Sequence, residues 1–295
     1  MREVPSVQIV TDGNPFIGYG HIRRSAALAE RLKQEGINVT MLGLSEDAKE
    51  MLPSPGIANL APDLVVFDVF DGIDTLIANA REQGQVTITL DWFGQEIPDF
   101  NIVVFAHDTV RASKQSFIGF EYIILREEII AAKKILNKGL ENVLVCLGGG
   151  DLLKQSEQAA GVLAKLGLQT TLVLGPMATD IETGSNIRKL TNPPDFPHLL
   201  AASDWAVTNA GGCFFEALYL GTPAFALPQS PMESRIAACV AEKNAVLGSG
   251  LENIRRFDKA EMENASNNGM ELIDGKGLTR VATIVKEQAW QKRNG

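Results

Sequence analysis

Along the chain, short β-branched apolar runs alternate with segments whose apolar residues recur at helical spacing. VQIVT, INVTML, DLVVFD, QVTITLD and NIVVF fall in the first half, and NVLVCL, TTLVLG, WAVTNA and PAFALP in the second. Strands buried on both faces of a parallel sheet read as near-continuous apolar runs of this kind. Between the first two runs, HIRRSAALAERLKQEG puts Ile22, Ala26, Ala29 and Leu32 on one stripe and predicts a helix that covers such a sheet. The alternation predicts α/β layering, and its two successive series predict two Rossmann-like doubly wound domains with loops at the carboxyl ends of their strands. REEIIAAKKILNKGL, around 126–140, is charged and helical in pattern and closes the first series. The expected domains are therefore 1–137 and 138–275, with a last helical segment over 276–295 placed to return to the first.

Composition narrows the function classes. With 295 residues, 45% of them hydrophobic, the chain can fill two cores. Its net charge of −9 argues against general binding to nucleic acid or to anionic membrane, both of which need a basic face. No apolar run is long enough to span a bilayer and no secretory leader precedes the first strand, so the expected setting is cytoplasmic, without membrane insertion and with a small molecule as partner. Cys146, Cys213 and Cys239 lack CxxC spacing, which argues against a disulfide framework or a structural zinc site.

Candidate chemistry gathers at three strand-to-helix turns. Gly18-Tyr19-Gly20-His21 joins the first strand to the first helix. Glycines there let backbone approach a ligand, the helix start favours an anion, and its dipole keeps an imidazole neutral and able to take a proton. The same residues also suit a tight turn with a capping histidine. In the second half Gly148, Gly149, Gly150 and Asp151 stand between strand and helix, in a spacing that is neither GxGxxG nor a Walker loop. This turn can cradle phosphate, or it can be a plain connection with Asp151 as N-cap. Further on, Asn209, Gly211 and Gly212 follow a strand and Glu216 sits one turn into the next helix. Backbone N–H groups there can meet phosphate while the carboxylate accepts two ribose hydroxyls, although a helix-start glutamate also gains from the dipole alone.

Taken together, these segments resemble nucleotide-sugar enzymes of the glycosyltransferase B fold. The resemblance is strongest to the UDP-sugar hydrolases of pseudaminic acid biosynthesis and their spore-coat-polysaccharide relatives, and more distant to the peptidoglycan N-acetylglucosaminyltransferases. GYGHIRRSAALAERL is similar to GxGHxxRxxxLA, VVFDVFD and TLDWFG to a pair of Asp-ending strands, and FIGFEYIILREEI to G-x-x-Y-x-x-L-R-x-E-F. VLVCLGGGD and NAGGCFFEALYLGTPAFALP are similar to the LGG-x-D turn and to A-G-x-x-x-x-E-x-x-x-x-G-x-P. The resemblance implies an α/β fold of two Rossmann-like domains facing across a cleft, with a UDP-sugar as substrate and no cofactor or metal. It also implies a water activated by His21, attack at the anomeric carbon with UDP leaving, and Asp68 orienting His21 or contacting sugar. Gly18, Gly20, Arg23, Gly148, Gly149, Gly150, Asn209, Gly211, Gly212, Glu216 and Glu233 are the implied substrate and nucleotide contacts. Alternatives are a UDP-sugar-dependent glycosyltransferase of surface polysaccharide or glycan synthesis and a non-catalytic nucleotide-sugar-binding protein. The chain departs from the pattern where Ser234-Arg235 replaces the usual Asn-Gln after Glu233, and where little sequence separates Met51 from Asp63. His107 is a second-rank candidate near the site, and His198 reads as a helix-surface residue.

Overall fold

The computed structural model describes residues 4–14, 18–52, 61–69, 72–105, 113–136, 139–148, 151, 154–175 and 187–295. The chain divides into two compact units, one of residues 1–14, 21–126 and 276–295, the other of residues 15–20 and 127–275.

In the first unit β1 (Ser6–Thr11), α1 (Gly20–Gln34), β2 (Asn38–Gly43), α2 (Glu46–Met51), β3 (Leu64–Asp68), α3 (Asp74–Glu82), β4 (Val86–Leu90), β5 (Phe100–Val103) and β6 (Gln115–Ile118) follow one another. In the second come α4 (Glu127–Ala131), β7 (Asn142–Cys146), α5 (Gln155–Lys165), β8 (Gln169–Leu174), β9 (Ile187–Thr191), α6 (Phe196–Ala202) and β10 (Trp205–Thr208). They are followed by α7 (Gly212–Leu220), β11 (Ala224–Ala226), α8 (Pro231–Ala241), β12 (Gly248–Ser249) and α9 (Lys259–Leu272). The last helix, α10 (Gly277–Asn294), belongs to the first unit, where Val281, Ala282, Val285 and Ala289 pack with Leu28 and Leu32 of α1 against β1, β3 and β4. Val65, Phe67, Ile77 and Trp92 fill the opposite face of that sheet. In the second unit Val143, Val145, Leu163, Trp205, Phe225 and Phe257 share one core.

Both sheets are six-stranded and parallel among the described residues, ordered β2-β1-β3-β4-β5-β6 and β12-β11-β10-β7-β8-β9. The strand order reverses between β1 and β3 in one sheet and between β7 and β10 in the other. Helices leave such a switch point toward opposite faces, which opens a crevice at the carboxyl ends of the two strands. Thr11 pairs with Asp68 there in the first sheet, and Cys146 with Thr208 in the second.

The apolar runs fall on β1–β5, β7, β8, β10 and β11 as expected. Missing from that reading are β6, β9 and β12, all at or forming sheet edges, where QSFI and IRKLT stay partly exposed and carry no apolar run. The helix expected over 126–140 is only α4, held to the second unit by buried Ile129, by Lys134 lying 4.0 Å from the Tyr219 ring centroid, and by Tyr219 Oη reaching Ile130 O. The unit boundary accordingly lies at Arg126–Glu127 rather than at 137. On α1 the stripe also shifts: Ala26 is exposed, and Ser25 and Leu28 are buried in its place.

Candidate functional site

In the first unit the switch point brings together four polar side chains from three segments. His21 and Arg24 lie in the first turns of α1, Asp68 ends β3, and Asp91 follows β4. His21 Nδ1 is 2.6 Å from Asp68 Oδ1, with both residues buried. Arg24 Nε donates to both Asp68 oxygens at 3.0 and 2.9 Å, Arg24 Nη1 donates to Asp91 Oδ2 at 2.7 Å, and Ser25 Oγ donates to Asp68 Oδ2 at 2.8 Å. Arg24 Nη2 donates to Asp68 Oδ1 at 2.5 Å and also lies 3.3 Å from His21 Nδ1. Nδ1 cannot both donate to the carboxylate and accept from the guanidinium; the shorter contact to an ionised acceptor decides for donation.

Burial alone would discharge Asp68, but Arg24 first and then His21 outweigh it and hold its carboxyl well below the usual range. Burial likewise opposes the charge on Arg24, and Asp68 followed by Asp91 overcomes it, so the guanidinium keeps its proton more firmly than usual. Asp91 adopts a left-handed backbone (φ 52°), a conformation that costs an L-residue roughly 1 kcal/mol or more and that clusters at functional sites.

The structure locates the expected residues of the first strand-to-helix turn as follows. Gly18 takes a positive φ of 76°, which favours glycine. A Cβ on Gly20 would meet open space, so internal packing does not demand glycine at this helix start. Arg23 is exposed on α1; the arginine that enters the charge cluster is Arg24, one residue on and about 100° around the helix. Arg24, Ser25 and Asp91 are the residues that the sequence reading passed over as individual site residues.

In the second unit the turns after β7 and β10 flank the other switch point. Gly148 has a φ of 81° and lies beside the Asn209 side chain; Gly149 and Gly150 lie outside the described residues, as does His107. Asp151 is not the N-cap residue of α5, which is Lys154, yet its carboxylate accepts from Gln155 N and Ser156 N at 2.8 Å each. The start of α5 therefore already holds an anion of its own. The start of α7 differs: its N-cap is Gly211, no side chain caps it, and a Cβ on Gly212 would meet open space. Ala210, just ahead, is left-handed (φ 60°) and fully buried. Thr208 Oγ1 and Asn209 Oδ1 are buried at this turn with no protein partner among the described residues.

Glu216 is buried on α7 rather than standing as an exposed helix-start acid. Glu233, in the first turn of α8, accepts from Asn209 Nδ2 and from Gln229 N at 2.6 Å each. Burial pushes its carboxyl up to about 7 against the pull of those donors. Arg235 is exposed two residues further along, and His198 is exposed on α6, as its reading as a helix-surface residue expected.

No family model matches the chain. It is 25% identical to the uncharacterized protein MJ1062 of Methanocaldococcus jannaschii across 77% of this chain, and it spans only 56% of that protein's length. It is 23% identical to the spore coat polysaccharide biosynthesis protein SpsG of Bacillus subtilis, covering 95% of this chain and 98% of SpsG. Among solved structures, a glycotransferase of kitacinnamycin superposes with a TM-score of 0.68 at 18% identity over 97% of this chain and 99% of that one. The MnaA–UDP complex of S. aureus gives a TM-score of 0.63 at 13% identity over 96% of each chain. The fold is that of the two-domain glycosyltransferase B type. No helix among the described residues is long and apolar enough to cross a membrane.

Proposed function

We propose that the protein is a UDP-sugar enzyme, a hydrolase that cleaves at the anomeric carbon with water as nucleophile. The observation that carries this reading is the buried His21–Asp68 pair at the switch point of the first unit. With Nδ1–H given to an ionised carboxylate, the neutral imidazole keeps Nε2 as a proton acceptor, the arrangement of a general base with its orienting acid. As water attacks, its proton passes to Nε2, the anomeric C–O bond to the diphosphate breaks, and UDP departs with inversion. Asp68 stabilises the imidazolium that forms, and Arg24 with Asp91 keeps Asp68 ionised and fixed. The scheme calls for no metal.

The second unit supplies the nucleotide side of this reading. The uncapped start of α7 at Gly211 and Gly212 offers N–H groups and a helix dipole to the diphosphate, and such fixed dipoles stabilise a leaving anion. The start of α5 is the weaker candidate because Asp151 occupies it. Glu216 accepts the ribose hydroxyls, and the unpartnered Thr208 and Asn209 oxygens give further polar anchors. The MnaA–UDP complex and SpsG supply support by likeness for a UDP ligand and a polysaccharide-related role. A transferase reading differs only in the nucleophile, an acceptor hydroxyl in place of water.

The test is a panel of nucleotide sugars with the products resolved. Release of UDP with free sugar in the absence of any acceptor, lost in His21→Asn, supports the hydrolase. Release only on adding an acceptor favours the transferase, and tight binding with no turnover of any donor refutes the enzyme reading.

A further inference from the structure

Two of the chain's three cysteines, 67 residues apart in sequence, meet in the second unit. Cys146 is the last residue of β7, buried and in register with Thr208 of β10; Cys213 is the second residue of α7 and is half-buried. Their Sγ atoms are 3.8 Å apart. A disulfide needs about 2.05 Å, so the sulfurs must close by about 1.8 Å. The strand end can supply little of that movement, because β7 is paired on both sides, with β8 and β10. The helix start can supply more: Cys213 follows Gly211 and Gly212, and a Cβ on Gly212 meets nothing within 4 Å.

We infer that Cys146 and Cys213 form an oxidisable dithiol, and that closing it to a disulfide draws the first turn of α7 out of the shape that receives the nucleotide diphosphate. The second half of this inference rests on the nucleotide reading above. The oxidant is a low-molecular-weight disulfide. The Cys213 thiolate, the more accessible of the two, attacks one sulfur of that disulfide, forming a mixed disulfide and expelling one thiolate. Cys146 then gives up its proton, and its thiolate attacks Cys213 Sγ and expels the second. Two protein thiols are oxidised, one disulfide is reduced to two thiols, and the two protons leave on them. Cys239, on α8, is the built-in control, since it is paired with neither sulfur among the described contacts.

The experiment treats the whole chain with oxidised glutathione or with a thiol reductant, maps cross-linked peptides by mass spectrometry, and titrates UDP into each form by calorimetry. The expected result is a Cys146–Cys213 peptide that Cys213→Ser and Cys146→Ser abolish and Cys239→Ser retains. UDP affinity should drop about ten- to a hundredfold, the loss of roughly one charge-assisted hydrogen bond, and recover on reduction. In Cys213→Ser the oxidant should leave UDP affinity unchanged, while Cys146→Ser should stop at a glutathione adduct on Cys213 that the peptide map reads. Absence of that peptide overturns the dithiol whatever UDP does. A cross-linked chain that binds UDP as tightly as the reduced one overturns the control of binding. A reduced chain that never binds UDP refutes the nucleotide reading and with it that control, while the peptide map still decides the dithiol.

Discussion

Asp68→Asn changes charge at almost constant volume, at a residue with no solvent exposure. Its carboxylate takes hydrogen bonds from His21 Nδ1, Arg24 Nε and Nη2, and Ser25 Oγ. Asparagine turns one of those acceptor oxygens into a donor that faces donors, and leaves Arg24 with Asp91 as its carboxylate partner. Removing one member of a buried pair costs about 3–5 kcal/mol; because the Arg24 side chain is 22% exposed, the lower end, about 3 kcal/mol, is expected. The pH dependence follows from the depressed carboxyl. A group whose folded pKa lies below its unfolded value of about 3.9 contributes fully above that value and loses its contribution as pH falls toward the folded one. The gap between wild type and variant should therefore be flat from about pH 8 to 5 and shrink below about pH 4. Urea unfolding followed by fluorescence in a Trp205→Phe background reads this gap, because Trp92 and Trp290 both belong to the first unit. A gap under about 1 kcal/mol at neutral pH, or one that does not shrink in acid, refutes the charge-cluster argument. Turnover should fall about 10²- to 10⁴-fold as His21 loses its orienting acid.

Three further outcomes follow from the same geometry. His21→Asn should keep UDP affinity and lose about 10²- to 10⁴-fold in turnover, and a wild-type rate on the identified donor would make His21 structural. Glu216→Ala should weaken UDP by about 1–3 kcal/mol, read by calorimetry; unchanged affinity in the folded variant would remove Glu216 from the ribose. Glu233 titrates in the opposite sense from Asp68. Its folded pKa of about 7 lies above the unfolded value, so the protonated form favours folding and that advantage is lost as pH rises from about 4 through 7. Glu233→Gln should therefore gain stability relative to wild type as pH rises from about 4 to 7, and a constant difference across that window would show that the carboxyl is not buried enough to matter.

The apolar runs were sufficient to read nine of the strands: eight lie inside a sheet and are covered on both faces, and the ninth, β2, is an edge strand whose INVTML run still shows it. The other edge strands, β6, β9 and β12, left no such trace, since a sheet edge is covered less completely. The glycine turns were equally legible, because a strand that feeds a helix through glycines is a local pattern, and His21, Gly212 and Glu216 could be picked out from it. Their partners were not legible in local pattern: only the resemblance implied Asp68 beside His21, and Arg24, Ser25 and Asp91 were passed over. Asp68 lies 47 residues from His21 and 44 from Arg24, and Asp91 lies 67 from Arg24; only the parallel order β1-β3-β4 brings three strand ends beside the start of α1. The choice of Arg24 over Arg23 is different in kind: GxGHxxRxxxLA, aligned on His21, puts its arginine at 24, so the motif already held what the reading of Arg23 missed, and the structure joins Arg24 to Asp68. Asp151 did need the structure: its spacing suggests a cap, and its carboxylate fills the start of α5, leaving the uncapped start of α7 as the place for a phosphate. Periodicity follows from what each residue buries, which is a local property; the pairing of charges and thiols across a switch point depends on strand order, which no stretch of sequence contains.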